Sequence, residues 1–60
     1  MNAIKKIRLE MKISQVTLAR KANIDVRYFQ RIEKGDQVPT IYIALNIARI
    51  LHTTVENLFN

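Results

Sequence analysis

Apolar residues recur at α-helical spacing along the whole of this chain, and each stretch of the pattern is soon cut by a turn residue. No alternating strand pattern, repeat or low-complexity stretch interrupts it. The 60 residues are predicted to form one domain, 1–60, of short helices. A chain of this size buries only about 60% of its unfolded surface, so every helix has to serve one core. Ile4, Ile7 and Met11 share a face of a first helix that ends near Lys12. After Ile13, Ser14 can cap a second helix with Leu18, Ala19 and Ala22 inward. Asn23 follows, a residue type that tolerates a left-handed backbone. Asp25 can cap a third helix running to about Lys34, with Phe29 and Ile32 inward and Gly35 as its stop. Pro39 and Thr40 open a fourth helix, and Thr54 caps a short fifth carrying Val55, Leu58 and Phe59. The predicted class is all-α, a compact bundle of five short helices.

The fourth helix has an unusually wide apolar arc. Ile41, Ala44, Leu45, Ala48 and Leu51 make its expected core stripe, Ile47 widens it, and Ile43 and Ile50 extend it. Tyr42, Asn46 and Arg49 alone make a polar side. Such an arc points to a self-association surface, with Ile43, Ile47, Ile50, Val55 and Phe59 as its candidate residues. The plainer reading is a helix well wrapped by its neighbours.

Composition removes most other function classes. There is no cysteine, which excludes disulfides and thiolate zinc and fits a reducing, cytoplasmic setting. One histidine and five acids make a metal site improbable, and no cofactor is expected. One glycine excludes the phosphate-binding loops that need several. Ser14 and His52 sit at separate helix ends, so no catalytic triad is expected, and no enzyme. His52 itself suits a helix terminus, where left-handed residues collect. The longest apolar run, Ile41–Leu45, is far too short to span a membrane, and no signal peptide is expected.

Charge gives the positive clue. Residues 1–34 hold nine cations against Glu10, Asp25 and Glu33, a net of +6, while residues 35–60 carry a net of −1. A basic half on a small domain points to a polyanion, most often nucleic acid. The alternative is a lysine-rich solvated surface.

From Gln15 to Lys34 the chain reads helix, tight turn, helix. Ala19 is small where two helices cross, Asn23 stands at the turn, Ile24 follows as a buried plug, and Phe29 and Ile32 pack back. This is the spacing of a DNA-binding helix-turn-helix. With it come Ile7-Arg8, Ile13-Ser14-Gln15, Leu18-Ala19, Arg31-Ile32-Glu33-Lys34-Gly35, Pro39-Thr40 and Leu45-Asn46-Ile47-Ala48 with Leu51. In this order the markers resemble the phage-repressor/Cro-type (XRE) helix-turn-helix family, from about Ile4 to Phe59. Three positions depart from the family pattern: Asn23 replaces a turn glycine, Phe29 is larger than usual, and Lys12 stands where glycine often ends the first helix.

The resemblance implies a lambda-repressor-like bundle that binds double-stranded DNA, usually as a homodimer on a palindromic site. The third helix would enter the major groove with Val26, Arg27, Gln30 and Arg31 outward, and the family's base-reading positions match Val26, Arg27 and Arg31. Ser14, Gln15, Tyr28, Lys34 and Thr40 are candidate phosphate contacts. The family also uses a glutamine like Gln15 to buttress the recognition helix. Arg8 and Glu33 match a structural ion pair of the family, and Arg8 is expected to keep a nitrogen for phosphate. The rival class is a protein-interaction module of antitoxin type, in which the Ile43–Ile47–Ile50 flank meets a foreign partner. A basic binder without sequence preference is the third reading.

Overall fold

The structure, a computed structural model, describes residues 2–60. Among these residues it holds five helices: α1 (Ile4–Glu10), α2 (Gln15–Lys21), α3 (Val26–Lys34), α4 (Ile41–Ile50) and α5 (Val55–Phe59). Four of them start on a side-chain cap. Ser14 accepts from the Thr17 amide, Asp25 from Arg27, Thr40 from Ile43 and Thr54 from Asn57. Each cap satisfies one of the amides that a helix start leaves unpaired. α1 is entered differently: Asn2 Oδ1 accepts from the Ile4 amide at 3.1 Å, and Asn2 Nδ2 donates to the Ile32 carbonyl at 2.8 Å. Asn2 therefore starts α1 and ties it to α3.

The ends of α1 to α4 share one closure. The amide of a left-handed residue, and then that of the next residue, donate back to the last carbonyls of the helix. Lys12, Asn23 and His52 hold φ of 59°, 58° and 56°, and Gly35 holds 89°. Their amides reach Leu9, Arg20, Arg49 and Ile32, and the amides that follow reach Arg8, Ala19, Ala48 and Arg31. This closure explains why α1 stops at Glu10, before the expected Lys12: the chain has to turn left at Lys12 itself.

The core is built from Ile4, Leu18, Phe29, Ile32, Ile47, Leu51 and Leu58, with Ala19, Ala22 and Ala48 filling the close approaches. Three expectations are corrected here. Ile47 is completely buried and belongs to this core, so it has no surface to offer a partner. Ile41 and Leu45, expected inside, are 58% and 47% exposed. The stripe of α4 that faces inward is Ala44, Ile47, Ala48 and Leu51. The apolar arc is so wide that periodicity alone fixed its width and not its centre. Ile24 is also half-buried rather than a fully enclosed plug.

Candidate nucleic-acid interface

α3 has two faces of opposite character. Phe29, Ile32 and Glu33 are buried, while Arg27, Gln30, Arg31 and Lys34 stand exposed. Val26 is half-buried at the helix start, and the adjacent cap Asp25 accepts from the Arg27 amide at 2.7 Å. The exposed row carries three cations and one amide, all donors suited to base edges or phosphates. The Arg31 guanidinium lies 5.9 Å from the centroid of the Tyr28 ring. At that distance the ring holds the cation on the outer side of the helix. Tyr28 is half-buried and packed against the core, so it is a platform for Arg31.

Behind this row lies an ion pair. Arg8 Nε donates to Glu33 Oε2 at 2.7 Å with both side chains nearly enclosed. Its Nη2 reaches Glu33 Oε1 at 3.4 Å, and Nη1 donates to the Ile13 carbonyl at 2.9 Å. Each guanidinium nitrogen has an internal acceptor. With the side chain buried as well, the expectation that Arg8 keeps a nitrogen for phosphate is corrected. The pair joins α1 to the last turn of α3 and sets how far α3 stands out from the bundle.

Gln15, the first residue of α2, bridges the buried pair and the exposed row. Its Nε2 donates to Glu33 Oε1 at 2.7 Å, and its Oε1 accepts from Gln30 Nε2 at 3.1 Å. Composition and periodicity do not reveal this bridge, because its members lie on different helices.

The remaining phosphate candidates surround α3. Ser14 Oγ accepts from the Thr17 amide and donates to Thr17 Oγ1, so its hydroxyl proton is engaged within α2. Thr40 is exposed and caps α4 through Ile43. Lys34 lies 3.8 Å from Asp36 in an exposed pair, which costs little to break.

The sequence matches the helix-turn-helix family over residues 4–58. This chain belongs to the XRE-type helix-turn-helix family. Its α2 and α3 are the helix-turn-helix unit that gives the family its name. The fold is similar to a chain in the SinR protein/SinI protein complex, with a TM-score of 0.81 and 31% identity. That match covers 88% of this chain and 52% of the other, so the helix-turn-helix chain spans about half of its relative. No curated protein matches the sequence.

Gly35, Val38, Pro39, Ile41, Val55 and Phe59 are among the residues that line an open apolar groove. Val38 is 86% exposed, and Tyr42 next to Ile41 is 77% exposed. Of the expected self-association residues, Val55 and Phe59 line this groove, while Ile43 and Ile50 are half-buried against the core.

Proposed function

We propose that the protein is a sequence-specific regulator that binds a palindromic operator as a homodimer and represses by occluding a promoter. The carrying observation is the exposed row Arg27, Gln30, Arg31 and Lys34 on a helix whose opposite face is locked into the core. Val26, Arg27, Gln30 and Arg31 read bases in the major groove. The arginines are suited to the paired acceptors of guanine, and Val26 to a thymine methyl. Gln15, Tyr28, Lys34 and Thr40 hold phosphates on either side and fix the docking register, and Ser14 joins them by turning its hydroxyl proton from Thr17 to a phosphate. The protein works in the cytoplasm, where its DNA lies.

Dimerisation is assigned to the apolar groove lined by Val38, Ile41, Val55 and Phe59, together with the half-buried Ile43 and Ile50 of α4. Three features support this. The groove starts at Gly35, immediately beyond the recognition helix. It lies in the half of the chain with a net charge of −1, so two copies meet without opposing their basic faces. The body measures 23 × 22 × 18 Å. Equivalent points on two touching copies can therefore reach the separation of about 34 Å between successive major grooves.

The test is selection of bound duplexes from a random library at about 0.15 M salt. An inverted repeat with half-site centres about 10 bp apart, or a multiple of that, is the expected outcome. Binding without a motif that disappears as salt rises would leave only a basic scaffold.

A second reading has one observation in its favour. The structural relative is a chain of a complex between two proteins, SinR and SinI. The exposed Val38, Ile41, Tyr42 and Leu45 could seat a foreign protein, as in an antitoxin. A chain that stays monomeric at high concentration favours that reading over the homodimer.

A further inference from the structure

Two copies of so small a domain need a large share of its surface to stay together. A standard contact buries about 800 Å² of each partner, close to a fifth of the 4240 Å² that this chain exposes. The groove lined by Val38, Ile41, Val55 and Phe59 is one patch of that surface. Val55 also borders a second, shallow depression, which it shares with Leu45, Ala48, Arg49, Thr53 and Glu56. The groove therefore continues past Val55 onto the junction of α4 and α5.

This second patch is complementary to itself. Leu45 is 47% exposed, while Ala48 beside it is small and buried and Thr53 is small and half-buried. Arg49 and Glu56 are both exposed, and among the described residues neither belongs to an ion pair. Arg49 Nη1 donates to Asn46 Oδ1 at 3.0 Å, which steadies the guanidinium and leaves its other nitrogens for an acceptor outside the chain. A twofold contact presents the same patch from both sides, so a cation and an acid on one patch meet their opposites on the other. A foreign protein would have to supply both charges in the matching order.

We propose that the contact between two copies extends from the groove across Val55 onto this patch, with Leu45 of each copy seated beside Ala48 and Thr53 of the other, and Arg49 of each paired with Glu56 of the other. The proposal rests on the homodimer reading given above. The apolar residues supply the burial. The two charge pairs fix the register of the copies, because a slipped contact would oppose like charges. They thereby set the angle between the two recognition helices.

The experiment is sedimentation equilibrium on the wild type, Arg49→Glu, Glu56→Arg and the double variant that exchanges the two charges, with thermal unfolding of each. Either reversal opposes two pairs of like charges per dimer and is expected to weaken the dimer by about tenfold or more. The exchanged variant should recover to within about threefold of the wild type. A general effect of net charge would move the two single variants in opposite directions, whereas the pair moves both the same way. Each charge also suits its own helix end, Arg49 in the last turn of α4 and Glu56 in the first turn of α5. Losses of that kind add up in the exchanged variant, so unfolding does not recover while dimerisation does. Reversals that leave the dimer intact overturn the proposal and confine the contact to the groove. An exchanged variant no better than the single ones overturns it too. A wild type that stays monomeric at every concentration overturns the homodimer reading itself, and this proposal with it.

Discussion

Arg8 and Glu33 meet inside the bundle at 2.7 Å, 25 residues apart in sequence and both almost wholly enclosed. The bond makes the last turn of α3 answerable to α1. Removing one member of such a pair strands the other charge in a poorly solvated place. Glu33→Ala is therefore expected to lower stability by about 3 kcal/mol, read by urea denaturation. Affinity for DNA should fall only as the folded fraction falls. An unchanged denaturation midpoint with lost DNA binding would falsify the structural role.

Arg27 and Lys34 sit on the same exposed face but should fail differently. Arg27→Ala is expected to cost about 1–3 kcal/mol on the preferred site and to erase one base preference per half-site. Lys34→Ala should weaken every duplex alike and lower the salt slope by about 1. Titrations against matched and scrambled duplexes at several salt concentrations separate the two.

Three of the four left-handed turn positions carry a side chain with a Cβ. Lys12→Gly and His52→Gly should each relieve crowding that a glycine does not have, though glycine also loosens the unfolded chain. The net expectation is a gain of about 0.5 kcal/mol each. Asn23→Gly should be nearly neutral, since asparagine already tolerates this backbone. Replacing His52 by valine should cost more than 1 kcal/mol, roughly, because a β-branched residue resists positive φ. Thermal unfolding of the four variants checks the ranking.

Ile41 is the first residue of α4 and is exposed on the rim of the apolar groove. Ile41→Glu places an acid in a first helical turn that has none, which favours the isolated fold by a few tenths of a kcal/mol, roughly. The same charge would have to be desolvated in a dimer. Sedimentation equilibrium should show a monomer, with unfolding unchanged and operator affinity reduced. A variant that still dimerises places the contact elsewhere.

The helix starts were legible because a cap is a local event. Ser14, Asp25, Thr40 and Thr54 each bond an amide two or three residues away, so their meaning is written beside them. The left-handed turns at Asn23 and Gly35 were readable for the same reason. The facing of α4 was not. Ile41, Ile43, Leu45, Ile47 and Ile50 surround most of the helix, and only the placement of α2 and α5 decides that Ile47 goes in and Ile41 stays out. Asn2 could have been noticed as a polar residue just ahead of a helix, but its bond to Ile32 crosses 30 residues. In the candidate site, residue types pointed to Arg27 and Arg31, whereas the Glu33–Gln15–Gln30 bridge depends on where two helices meet.

The two-faced character of α3 also bears on how such a domain diversifies. Phe29, Ile32 and Glu33 hold the body together, while Arg27 and Arg31 touch nothing in its core. A lineage can therefore rewrite those outward letters and acquire a new genomic address while inheriting the same scaffold. Gln30 is bonded to Gln15 on α2, so a substitution at either one removes a partner from the other.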